Sequence, residues 1–161
     1  MKKFLLIAVL ALFSASAFAQ KDVFGFGVNF NYTPCLEDGA DLNHFGISGK
    51  MQYGFTDALR GEVSLGYDFE EKGVSVFEAG ASLHYLFHIN NKFRVYPIAG
   101  IGYANLKYDI PDTDDDEVYF NFGGGVEYDI TKNIAIGAEV KYQLIDDFNR
   151  LPMSIGLTYK F

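Results

Sequence analysis

The chain has 161 residues, of which 49% are hydrophobic and 17% aromatic, with one cysteine, no tryptophan and a formal net charge of −8. Such a length holds one domain. The lone Cys35 excludes an intramolecular disulfide and any metal or redox motif built on cysteines, and is expected to sit inert in a loop; no nucleic acid is expected as a partner of so acidic a chain.

Lys2 and Lys3 precede ten apolar residues, Phe4 to Phe13, and a small-residue run that ends in Ala17-Phe18-Ala19. This reads as a secretory signal peptide over 1–19, cleaved after Ala19. The apolar run is too short for a membrane helix, which takes about 20 residues, and no later segment comes near that length. Gln20 rather than Cys follows the cleavage site, so no lipoprotein signal is read. The mature domain is 20–161.

From there the chain alternates, apolar and small-or-polar, in eight segments, each with the period of a β-strand. The first sets Phe24, Phe26, Val28, Phe30 and Tyr32 against Gly25, Gly27, Asn29 and Asn31. The second sets Phe45, Ile47, Met51 and Tyr53 against Gly46, Lys50 and Gln52, and the third Leu59, Val63, Leu65 and Tyr67 against Arg60, Glu62 and Gly66. The fourth runs through Phe77, Ala79, Ala81, Leu83 and Tyr85, and the fifth, the least regular, through Phe93, Val95, Pro97, Ala99, Ile101 and Tyr103. Val118 to Tyr128 and Ile134 to Tyr142 follow, and Leu151, Met153, Ile155, Leu157, Tyr159 and Phe161 complete the set.

Each segment carries a Tyr on its apolar face near its C-terminal end. In an antiparallel meander these fall into two rings: Tyr32, Tyr67, Tyr103 and Tyr142 at one rim, Tyr53, Tyr85, Tyr128 and Tyr159 at the other. Tyrosine suits a membrane interface, its ring apolar and its hydroxyl wet. The opposite face holds at least eleven of the seventeen glycines and few large polar groups, which suits the crowded interior of a narrow barrel better than water. The expected fold is all-β: an eight-stranded antiparallel up-and-down transmembrane β-barrel, closed because backbone groups in lipid have no water to bond. With eight strands the interior is only just wide enough for side chains, so an open pore is not expected.

Connections alternate between longer and shorter. The longer ones, Thr33 to Leu42, Glu70 to Gly73, Asp109 to Glu117 and Ile145 to Arg150, hold thirteen acids and two bases. The short turns lie around Thr56-Asp57, His88 to Lys92 and Ile130 to Asn133. Long loops outside and tight turns in the periplasm are the outer-membrane arrangement.

The chain resembles the small eight-stranded outer-membrane barrels of the OmpA/OmpX type, the outer membrane protein β-barrel or porin-like surface antigens, over essentially Gln20 to Phe161. Ser154-Ile155-Gly156-Leu157-Thr158-Tyr159-Lys160-Phe161 is similar to their C-terminal assembly signal. The resemblance implies that Gly156, Tyr159 and Phe161 are read by the barrel-assembly machinery. Val95 to Tyr103 and Phe120 to Tyr128 also resemble recurrent strands of these barrels. No peptidoglycan-binding domain is expected to follow the barrel.

Candidate chemistry is sparse. Glu78, Ser82 and His84 share one inward face, but residues two apart stand about 6.5 Å apart along a strand, too far for a hydrogen-bonded relay, so no catalytic residue is assigned. Asp112, Asp114 and Asp116 begin like a calcium loop, yet Glu117 stands where a glycine is needed and Gly123 where a bidentate Glu is needed. With Asp109 and Asp115 they read as an exposed acidic loop, with no metal and no cofactor assigned. Inside, Lys50, Arg60, Arg94 and Lys160 alternate with Glu62, Glu127 and Asp129, a lumen charge cluster in which Arg94 and Glu127 are expected to pair. The reading is a monomeric, non-enzymatic barrel of the cell outer membrane, contacting lipid and lipopolysaccharide, with a structural or surface-interaction role through its acidic loops toward an extracellular ligand. A narrow channel is the alternative, and a lipid A-modifying enzyme the third.

Overall fold

The computed structural model describes residues 22–34, 43–71, 74–108, 114–145 and 149–161. They form eight long strands: β1 (Phe24–Pro34), β2 (Asn43–Gly54), β3 (Leu59–Glu71), β4 (Val74–Tyr85), β5 (Phe93–Tyr108), β6 (Asp114–Asp129), β7 (Ile134–Leu144) and β8 (Met153–Lys160). Two short pieces add to them, Phe87–His88 against β5 and Asn149–Arg150 against β7. Each long strand pairs antiparallel with the next, and β8 returns to β1 from Gly25↔Lys160 to Tyr32↔Met153, so the sheet closes on itself.

The alternation decides which face is which. Phe26, Val28, Phe30, Leu65, Phe120, Phe122, Ile155 and Leu157 lie exposed on the outer surface, while Lys50, Gln52, Arg60, Glu62, Arg94, Asn121, Glu127, Glu139 and Lys160 are buried inside. That is a soluble domain turned inside out, the distribution a barrel in hydrocarbon requires.

The tight turns are built by side chains as well as backbone. Thr56 Oγ1 accepts from the N–H groups of Ala58 and Leu59, Asn90 Oδ1 from those of Lys92 and Phe93, and Thr131 Oγ1 from those of Asn133 and Ile134. Such short polar residues favour turns because they offer the backbone a local partner.

Two expectations need correction. The acidic segment Asp109 to Glu117 is not all loop: Asp114, Asp115, Asp116 and Glu117 are the first residues of β6 and pair with Lys107, Leu106, Asn105 and Ala104. Ladder hydrogen bonds to β5 overcome the poor strand propensity of Asp. Asp109 and Asp112 lie outside the described residues, as do Cys35 and the expected signal peptide. Arg150, counted as a loop base, is instead buried at 2% exposure inside the loop rim, because two lumen carboxylates hold it there.

Candidate functional site

The lumen is filled by ion pairs in three layers. At the rim of the tight turns, Glu127 accepts from Arg60 at 2.8 Å and Arg94 at 2.7 Å, with Lys160 at 3.0 Å. Asp129 joins this layer through Arg94 and, at 2.5 Å, Lys160. The middle layer places Lys50 3.2 Å from Glu139 and 3.8 Å from Glu62, and Lys141 3.0 Å and 3.4 Å from the same two carboxylates. Nearest the loop rim, Arg150 binds Asp68 at 2.5 Å and also Glu78. Six bases, Lys50, Arg60, Arg94, Lys141, Arg150 and Lys160, thus face six acids, Glu62, Asp68, Glu78, Glu127, Asp129 and Glu139, and the charges of the three layers cancel.

Aromatic rings seal the layers. Tyr96 points inward with its hydroxyl donating to Glu139 at 3.0 Å, the Arg60 guanidinium 4.8 Å above its ring and His84 stacked at 5.0 Å on it. Its ring, like that of Tyr119, has room only because the opposed strand offers glycine: a Cβ at Gly125 would strike Tyr96, and one at Gly102 would strike Tyr119. Tyr119 packs with Val76, Ala104, Leu106 and Ile145 into an apolar plug at the loop end. Between the middle layer and the layer nearest the loop rim remains a small polar chamber of about 50 Å³, lined by Asn29, Ser48, Ser64, Ser82, Asn121 and Gln143 among others. Its polar walls suit a few waters, since one water needs roughly 10–15 Å³.

No relay forms among Glu78, Ser82 and His84. Glu78 is taken by Arg150, Ser82 Oγ donates to Asn121 Oδ1 at 3.4 Å, and His84 faces Arg60, Tyr96 and, at 4.0 Å, Glu62. Glu62, His84 and Glu139 do bring ligand atoms within 4.8 Å of one another. Lys50 and Lys141 already supply to both carboxylates the positive charge that a metal would bring, which weighs against a divalent ion in this set.

On the outer surface Tyr67 and Tyr103 project near the loop rim, and Tyr53, Tyr128 and Tyr159 near the turn rim. Tyr32, Tyr85 and Tyr142 are half-buried against Phe45, Phe87 and Phe122. The hairpin of β5 and β6 rises past this level: Asp116 accepts from Tyr103 Oη at 2.5 Å and from Asn105 Nδ2 at 2.7 Å. β7 pairs with β6 only from Phe120↔Leu144 downward, so among the described residues the β6 edge from Asp114 to Val118 faces no strand. At the opposite rim, Phe161 lies on the outer face beside Tyr159 and Phe24, its N–H donating to Phe24 O at 2.9 Å. Gly156 is required by packing, since a Cβ there would collide with Asn29 and the Val28 carbonyl.

The family described as Outer membrane protein beta-barrel domain matches residues 5–161. Among solved structures, the attachment invasion locus protein Ail of Yersinia pestis is 21% identical with a TM-score of 0.67, over 88% of this chain and 100% of Ail. The N-terminal β-barrel domain of Pseudomonas aeruginosa OprF is 18% identical with a TM-score of 0.67, over 85% and 97% of the two chains. Neisserial surface protein A is 18% identical with a TM-score of 0.66, over 86% and 96%. Ail has also been solved in complex with the heparin analogue sucrose octasulfate. No curated relative matches the chain.

Proposed function

We propose that this chain, which belongs to the outer membrane protein β-barrel family and resides in the outer membrane, is a non-enzymatic surface protein. In this reading it presents its β5–β6 hairpin to an extracellular partner. The observation that carries it is the hairpin itself: both strands are 16 residues long, where β8 has 8 and β1 has 11, and the surplus stands beyond the tyrosines of the loop rim. Asp114, Asp115, Asp116 and Glu117 place four successive acids along the edge that faces no strand among the described residues. A free strand edge adds an extended segment through backbone hydrogen bonds, and acidic side chains select a basic one. The partner chemistry is therefore cationic. A sulfated polyanion of the sort that binds Ail would meet repulsion on this rim.

The test is binding of a lysine-rich extended peptide to the barrel in vesicles, followed by fluorescence anisotropy. Binding should weaken with salt and fall when Asp114, Asp115, Asp116 and Glu117 are replaced by Asn and Gln. Binding unaltered by that replacement would remove the hairpin from the interaction. The three ion-pair layers weigh against the narrow-channel reading, because an unpaired buried charge is costly and each layer holds its partners closed.

A further inference from the structure

The outward face of the barrel is unevenly filled. Across β2 to β5 the register gives two successive outward rows, Gly49, Leu65, Ala79 and Tyr103, then Met51, Val63, Ala81 and Ile101. On β4 both outward side chains are therefore single methyl groups, and an added Cβ at Gly49 would meet nothing within 4 Å. The result is a groove made of two depressions, of about 820 Å³ and about 520 Å³, which share Met51, Val63, Ala81 and Ile101. Its floor is β4. Its walls are Val63 and Leu65 on one side, Ile101 and Tyr103 on the other. Small outward residues occur elsewhere, as at Gly124 and Ala138, but on β1 and β8 the outward residues are large, as in Phe26, Val28 and Phe30 or Ile155 and Leu157.

We propose that this groove is a binding site for one saturated acyl chain of a membrane lipid. The groove is continuous with the outward apolar band between the two tyrosine levels, where hydrocarbon is the medium. Its width is set by the sheet: β3 and β5 flank β4 and stand two strand spacings apart, about 9.5 Å. Less the wall side chains, that gap takes one hydrocarbon chain. It does not take the convex wall of a second barrel, which would ride on Leu65, Val63, Ile101 and Tyr103 and leave the floor empty. A straight chain laid on Ala79 and Ala81 fills contacts that a disordered bilayer chain meets only in passing, so this lipid is held longer than its neighbours.

The test uses the whole barrel reconstituted in dimyristoylphosphatidylcholine bilayers, extracted gently and weighed by native mass spectrometry. Wild type should retain a lipid at one per barrel. The double change Ala79→Leu with Ala81→Leu, which fills the floor, should lose it, while Ala138→Leu on β7, at the far wall, should keep it. All three are apolar changes on the lipid face, and heat-modifiable migration on gels checks that each barrel is folded. Equal retention by the filled and control variants would overturn the site. So would a wild-type dimer that the filled variant loses, since the groove would then seat a second copy.

Discussion

Arg60 on β3 and Glu127 on β6, 67 positions apart in the chain, meet inside the barrel at 2.8 Å. Both are nearly fully buried, at 3% and 2% exposure. Neither charge has bulk water to fall back on, so each depends on the other strand being in register. Glu127 also serves Arg94 and Lys160, which makes it the anion shared by three cations.

The sharing sets an order of severity. Glu127→Ala leaves Arg60, Arg94 and Lys160 with Asp129 as the remaining carboxylate of their layer, and should cost about 3–5 kcal/mol in reversible urea unfolding from vesicles. Arg94→Ala should cost less, because Glu127 keeps its other two partners. The double change should recover only part of the loss, since Arg60 and Lys160 stay unbalanced. Equal costs for the two single changes would contradict a shared anion.

Conductance follows from the same layers. Planar-bilayer recording of wild type should show little current, and Arg94→Ala or Glu127→Ala should raise it by loosening the layer at the turn rim. A steady wild-type conductance that neither change alters would make the barrel a channel and remove the closed-lumen reading.

Much of this architecture was legible from the period of two. Phe93 and Tyr128 both mark the same rim, so the inward residues beside them, Arg94 and Glu127, had to face each other, as the register Arg94↔Glu127 has it. Arg150 was not legible, because it follows the short segment Ile145 to Asn149 in which no alternation runs long enough to assign a face. Its inward turn is dictated by Asp68 and Glu78 on distant strands, a tertiary constraint with no local signal. The extension of β6 into Asp114 to Glu117 was hidden for the opposite reason: a run of acids has the composition of a loop, and only pairing with β5 makes it strand. The groove on β4 could be read as small residues at Ala79 and Ala81, but its walls come from neighbouring strands whose register the sequence does not spell out.

Orientation of the barrel is open to a direct check. An epitope inserted after Asp112, in the connection between β5 and β6, should be reached by antibody on intact cells, whereas one inserted after Asp57, in the turn between β2 and β3, should be silent until the cells are permeabilised. Labelling of the second site alone would turn the barrel over and place the acidic hairpin in the periplasm. Neither insertion touches a lumen ion pair, so both barrels should fold.

The last residue separates assembly from stability. Phe161 is 72% exposed on the outer face, contacts Tyr159 at 5.0 Å and Phe24 at 6.0 Å between ring centroids, and adds one backbone hydrogen bond to β1. Aromatic pairs of this kind contribute about 0.5–1.5 kcal/mol each. Phe161→Ala should therefore lower the unfolding free energy of the purified barrel only modestly, by about 1–2 kcal/mol, and leave its heat-modifiable migration intact. In cells the effect should be much larger, with less folded barrel in the outer membrane and precursor collecting in the periplasm, because the terminal Phe is then missing from the segment that resembles the assembly signal. Normal assembly in cells would reduce Phe161 to a packing residue. A loss in cells no greater than the purified protein's loss of stability predicts would do the same.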